Sequence, residues 1–322
     1  MKRFLLFFFV TINAFAEAQA PKTIANTLAT ASFTRQRQHQ WPFPLLSIGH
    51  SMQSYQDYSF SPYWHDGLDI RCEQDQTIFA AVGGKVVNIE NYQRGNPLYW
   101  EVAILDDEGF VWKYHHVDQS SIPQEVRDAY KNKTKIKTGT ILGNVVRWPT
   151  VTYQELYHHL HLLVVAKDGK YINPFLMMQP LNDNQAPKIN RIGIARNHKP
   201  TNLTEVSGAF ALFLDASDLT LHHKFILPPY KISYSLDGAP AKTVWEFIHL
   251  PGGSSDTEFI NDFYMKGTCG NYDCRQFYFN LNFTWENPRA QMTLSPGKHQ
   301  VDVVVEDIVG NSDAASFSWT VL

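Results

Sequence analysis

Two stretches of this chain carry residue types that hold metals: His65-Asp66-Gly67-Leu68-Asp69 and, far downstream, His159-Leu160-His161. Side chains alternate faces along an extended strand, so His159 and His161 project side by side into one cleft. The run Leu156 to Val165 has the apolar and aromatic content of such a strand. His65 and Asp69 stand four apart around Gly67, whose backbone freedom lets a turn fold both side chains back toward one point. Two imidazoles and a carboxylate make a three-ligand shell, which for zinc leaves a fourth position open to water. An open position points to catalysis rather than to a structural metal. Either motif alone would read as surface or hydrogen-bonded histidines; both in one chain, the second in a strand, make the zinc reading.

The surrounding sequence extends these motifs into three blocks: Trp64-His65-Asp66-Gly67-Leu68-Asp69-Ile70 with the stretch Thr77 to Val87 after it, Tyr114-His115-His116-Val117, and Tyr157-His158-His159-Leu160-His161-Leu162. Together they resemble the lysostaphin/LytM-type zinc metallopeptidases, exported endopeptidases that cut peptide cross-links of bacterial peptidoglycan. The resemblance covers residues 44–178. It implies that His65, Asp69 and His161 are the zinc ligands and that His116 and His159 are catalytic histidines beside the metal, serving proton transfer and oxyanion stabilisation. It also implies a compact antiparallel β domain with the metal in a groove on its open face. His115 and His158 each precede one of these histidines, so a strand would turn them to the opposite face, and a register shift of one would exchange the roles. The family's spacing from its tyrosine, met here at Tyr114, implies His116, and the face shared with His161 selects His159. The chain departs from the family in the stretch Gly143 to Tyr153, usually rich in small residues, in Leu163, where an acidic residue is common, and in the polar stretch Ser120 to Lys137. These changes bear on the groove and the substrate more than on the metal.

Positioning such groups needs strands. From Trp41 to about Met178, short apolar runs alternate with glycine, proline and asparagine turns, which predicts antiparallel strands at Val86 to Ile89, Trp100 to Leu105, Phe110 to His116, Ile141 to Val146 and His159 to Val165. Glu125 to Lys131 reads as a short helix. Strands resume after a polar, proline-terminated segment: Ile189 to Ala195, Ala209 to Leu214, Tyr230 to Leu236, Phe277 to Phe283 and His299 to Val305. The closing stretch, with its Ser295-Pro296-Gly297 turn and Asp307-Ile308-Val309-Gly310-Asn311, resembles the last hairpin of bacterial immunoglobulin-like domains. The fold class expected is all-β, an antiparallel metallopeptidase domain followed by an immunoglobulin-like β-sandwich. The division expected is a signal peptide at 1–20, an arm or linker at 21–43, the zinc peptidase domain at 44–180, a linker at 181–187 and the sandwich at 188–322.

At 322 residues with 44% hydrophobic content, the chain is long enough for two buried cores. Its formal net charge of −3 gives no basic footprint, which argues against a nucleic-acid partner. Lys2 and Arg3 precede the apolar run Phe4 to Val10, and Ala14-Phe15-Ala16 or Ala18-Gln19-Ala20 offers a cleavage site, so the N-terminus reads as a secretory signal. That run is well short of the roughly 20 residues that span a bilayer, so no stable membrane span is expected after cleavage. Cys269 and Cys274 enclose a short polar turn that could close as a disulfide on export, and Cys72 reads as a buried bystander. His222, His223 and His249 form no ligand spacing. The function expected is a secreted or periplasmic zinc endopeptidase acting on peptidoglycan or another exported polypeptide. The alternative is a non-catalytic wall-binding or hydrolase-regulating protein on the same scaffold.

Overall fold

The computed structural model describes residues 39–44, 51–53, 57–58, 61–62, 66–149, 151–152, 155–180, 182–219, 226–250, 264–265, 278–284 and 286–322. Residues 1–20, expected to be a signal peptide, and His65, His222, His223, Cys269 and Cys274 lie outside the described residues. The protein is mostly β, with antiparallel sheets throughout its N-terminal part.

The N-terminal body is built on strands β1 (Ser51–Gln53), β2 (Leu68–Arg71), β3 (Gly84–Asn91), β4 (Trp100–Leu105) and β5 (Val111–His115), helix α1 (Gln124–Asn132), and strands β6 (Lys135–Ile136), β7 (His159–Val165) and β8 (Tyr171–Ile172). Across the sheet the order is β1-β2-β7-β5-β4-β3-β6, with β8 also on β7. The last of the three motif blocks thus supplies a central strand, flanked by the first and second. Period-two alternation sorts the faces: Leu68, Ile70, Leu160, Leu162, Trp112, Tyr114, Val102 and Ile104 point into one core, all fully buried. The buried Tyr114 hydroxyl accepts the Ala81 N–H at 2.8 Å, tying the sheet to the turn inside the Thr77 to Val87 stretch. Helix α1 buries Val126 and Ala129, starts after Pro123 and ends at Lys133, whose left-handed φ of 56° closes its C-terminus. Phe43 is buried in the same core, with Trp41 packed against it.

The C-terminal body consists of β9 (Lys188–Arg196), β10 (Lys199–Pro200), β11 (Glu205–Val206), β12 (Ala211–Leu219), β13 (Ile226–Leu227), β14 (Lys231–Leu236), β15 (Lys242–Glu246), β16 (His249–Leu250), β17 (Tyr264–Met265), β18 (Tyr278–Asn280), β19 (Gly297–Glu306) and β20 (Ser312–Val321). One sheet runs β10-β9-β12-β18-β17 with β13 on β12, and the other β11-β20-β19-β14-β15. Ile194, Leu212, Leu214 and Phe279 from the first meet Ile232, Val301, Val303, Val305 and Trp319 from the second in one core. The turn after β19 is closed by Asp307, whose Oδ1 accepts the N–H groups of Val309, Gly310 and Asn311. Asn311 Nδ2 then donates to the carbonyls of Asp183 and Gln185, fastening the 181–187 segment to the sandwich.

The two bodies share backbone. Strand β16 leaves the sandwich and pairs with β8, so the N-terminal sheet gains a strand from residues beyond the linker. Asn173, fully buried beside this joint, donates Nδ2 to the Phe247 carbonyl at 2.8 Å and its N–H to that of Ile248 at 2.9 Å.

Candidate metal centre

Register places a polar row across the face of the N-terminal sheet opposite its core. Asp69 of β2 stands opposite His161 of β7, His161 opposite His115 of β5, and His115 opposite Glu101 of β4. Directly opposed residues point to the same face, so all four side chains share it. His161 Nδ1 lies 2.8 Å from Asp69 Oδ1, and its Nε2 lies 3.3 Å from Asp66 Oδ1. Burial alone pulls the pKa of His161 down, but the hydrogen bonds and charges of Asp66 and Asp69 outweigh it and raise it to about 9. His161 therefore carries a proton between two carboxylates, a positive charge that a divalent cation on Nδ1 and Asp69 would replace. His159 Nε2 is 3.9 Å from the same Asp69 oxygen. An imidazole nitrogen and a carboxylate oxygen are donor types zinc takes, and a tetrahedral ion with bonds near about 2.1 Å separates its donors by about 3.4 Å, so His161 Nδ1 and Asp69 Oδ1, here at hydrogen-bond distance, would part slightly to share it. Two of the three expected ligands are thus together among the described residues, and the third, His65, lies outside them.

Gly67 matters here for space rather than for backbone angle. It does not adopt a positive φ. A Cβ at this position would sit 2.6 Å from the Leu162 carbonyl oxygen and 2.9 Å from His161 Cε1. Gly67→Ala is expected to cost about 1–3 kcal/mol of stability through this overpacking, read by urea titration, and to weaken metal binding because His161 itself must move.

His116 and His159 both reach the site, each with one ring nitrogen already committed. His116 Nδ1 is 2.8 Å from the Leu98 carbonyl and His159 Nδ1 is 2.7 Å from the Tyr157 carbonyl. A carbonyl only accepts, so in both rings Nδ1 carries a hydrogen, and in the neutral form of either ring Nε2 presents a lone pair. Burial, then the neighbouring imidazoles His159 and His161, hold the His116 pKa well below its ordinary value, so it is neutral. The two rings lie 4.7 Å apart, and Trp148 packs on both, at 4.6 Å from His116 and 4.8 Å from His159. Tyr157 covers His159 at 4.4 Å and donates its hydroxyl to Asp69 Oδ2 at 3.2 Å. Asp69, His116, His158, His159 and His161 are each less than a tenth exposed. Among the described residues, Trp148 and Tyr157 wall the rings of His116 and His159.

The alternation argument fails at one pair. His115 and His116 do not face opposite ways, because β5 ends at His115 and His116 takes a left-handed φ of 66° that swings its ring back to the same side. The ring of His115 lies 5.3 Å from that of His161 and stacks on Tyr92 at 4.2 Å. Its Nε2 is 2.6 Å from Glu101 Oε2, which also takes Lys113 Nζ at 3.2 Å, while Glu101 Oε1 accepts Asn88 Nδ2 at 2.8 Å. Burial favours a neutral Glu101, yet His115, Asn88 and Lys113 prevail and lower its pKa to about 2. An unfolded glutamate titrates near about 4.3. Glu101 thus contributes stability above that pH, which is lost as pH falls from about 4 toward about 2. In acid titrations followed by circular dichroism, Glu101→Gln is expected to flatten the stability profile in that window. His158 serves structure: its Nδ1 accepts the Trp148 N–H at 3.1 Å. Cys72 is half-buried and packed at the core's margin, with its thiol pushed up to about 12 chiefly by burial.

Sequence reasoning missed Asp66, Glu101, Trp148 and Tyr157. A signal existed for Glu101, a single carboxylate in the otherwise apolar strand Trp100–Leu105.

Residues 63–174 match the model of peptidase family M23. These residues form an M23 peptidase domain. M23 peptidases are generally zinc metallopeptidases. No curated protein matches the chain. Solved structures similar to it include a Ruminococcus gnavus protein assigned as the glycyl-glycine endopeptidase LytM, at 20% identity over 36% of this chain and 50% of that one, with a TM-score of 0.26. The catalytic domain of the prophage-encoded M23 protein EnpA from Enterococcus faecalis aligns at 20% identity over 42% of this chain and 95% of that one, with a TM-score of 0.28. The catalytic domain of lysostaphin from Staphylococcus simulans aligns at 20% identity over 43% and 88%, with a TM-score of 0.25. This chain thus spans half the length of the Ruminococcus protein. Among the described residues, no helix is long and apolar enough to cross a membrane.

Proposed function

We propose that the protein is a secreted, zinc-dependent endopeptidase that hydrolyses peptide bonds, with peptidoglycan cross-links as its substrate class. The reading rests on one observation: within the M23 domain, Asp69 and His161 lie 2.8 Å apart beside the rings of His116 and His159, whose Nδ1 atoms are held by the Leu98 and Tyr157 carbonyls. His65, Asp69 and His161 would hold zinc. Bound there, the ion polarises the scissile carbonyl and brings the pKa of a water toward neutrality. His116 and His159, fixed in one tautomer by backbone carbonyls, accept a proton at Nε2 and return it to the leaving amine. Once protonated, the same N–H can donate to the oxyanion. Trp148, packed on both rings, and Tyr157, packed on that of His159, shield those faces from water. We take residues 44–180 as the catalytic domain, residues 188–322 as an immunoglobulin-like domain and residues 1–20 as the export signal.

The burial of the histidines favours one other reading, a regulatory or wall-binding protein that keeps the metal but admits no substrate. The test is release of new amino groups from purified peptidoglycan by the mature protein, with and without chelator, beside metal content by mass spectrometry. Chelator-sensitive release with about one zinc per chain supports the peptidase. Bound zinc without release from several wall types would move the assignment to the regulatory reading.

A further inference from the structure

The wall over the site is not completed by the M23 domain alone. Leu227, on β13 of the C-terminal body, is 4% exposed and packs with Tyr157 and Trp148 in a cluster separate from both main cores. Both partners bear on the site from their other sides. The Tyr157 hydroxyl donates to Asp69 Oδ2 at 3.2 Å, and Trp148 lies against the rings of His116 and His159. Tyr157 itself lies between the short strand Glu155–Leu156 and β7, and its carbonyl takes His159 Nδ1 at 2.7 Å. Leu227 is carried by a strand paired to β12, in a body whose β16 is hydrogen-bonded into the N-terminal sheet. A rigid apolar side chain thus backs a tyrosine whose hydroxyl must stay in line with a carboxylate.

We propose that Leu227 is a positioning residue of the metal centre: by packing on Tyr157 and Trp148 it keeps the Tyr157 hydroxyl on Asp69, so the C-terminal body forms part of the site. The proposal rests on the reading above that Asp69 is a ligand. Groups that hydrogen-bond to a ligand orient it and set its hold on the ion, and their loss costs about 10–100-fold in affinity.

The test uses the full mature chain with Co2+ as probe, reading its visible absorption and its affinity by chelator competition, with turnover as a separate measurement. Tyr157→Phe keeps the packing and removes the hydrogen bond; it is expected to weaken cobalt binding about tenfold. Leu227→Ala is expected to weaken it by a similar factor and to change the cobalt spectrum in the same direction, and Leu227→Met to restore both. In the Tyr157→Phe background, Leu227→Ala should add little, since both act through one hydroxyl. Should Leu227→Ala not fold, Leu227→Val takes its place in the same cycle. Unchanged cobalt affinity and spectrum in the Leu227 variants, or fully additive losses in the double variant, would overturn the proposal while leaving the metal site standing. A wild-type chain that binds no cobalt would overturn the metal reading and this proposal with it.

Discussion

Replacing His161 with alanine is expected to empty the metal centre and abolish turnover. The side chain lies between Asp66 and Asp69 and holds its proton to about pH 9, so its removal leaves two buried or half-buried carboxylates facing each other without a cation or an imidazole between them. Affinity for zinc should fall by far more than the about 10–100-fold typical of residues behind the ligands, and hydrolysis should drop to background. Metal analysis after dialysis and the amino-group release assay measure the two effects. Wild-type metal content in this variant would remove His161 from the ligand set, and His159, whose Nε2 is 3.9 Å from Asp69, would take its place.

His116→Ala should separate the two functions. Its ring touches Trp148 and His159 and is held by the Leu98 carbonyl, but no carboxylate of the site is bonded to it among the described contacts. Zinc content is expected to stay near that of the wild type while kcat falls by about 10²–10⁴, the share a positioned acid or base contributes. Because His116 is neutral well below pH 6.5, the wild-type acid limb should not show an ordinary histidine titration from this residue. A loss confined to KM, or a parallel loss of zinc, would assign His116 to packing instead.

Much of this site was legible before any coordinates. Period two alone put His159 and His161 on one face of a strand, and cross-strand register then carried Asp69 onto that face. The family's spacing from its tyrosine pointed to His116, although the reason it faces the site is a left-handed turn at the strand end, which no sequence pattern announces. Gly67 was expected for its backbone angles and is required for its missing side chain. What could not be read is long-range. Tyr157 looked like part of a motif, and nothing local says that its partners are Asp69 on one side and Leu227 on the other. The strands of the C-terminal body announced themselves by apolar alternation, whereas the short β16, with two residues, carries no periodicity and pairs outside its own body.

That last pairing limits how the molecule can be divided. A fragment ending at the linker would strip β8 of its neighbour and expose an open sheet edge, with Asn173 left facing solvent in place of the Phe247 and Ile248 carbonyls. Unprotected edges are templates for pairing with other chains. The polar segment between the bodies is therefore a poor place to cut, and the N-terminal body on its own would tend toward strand-mediated self-association.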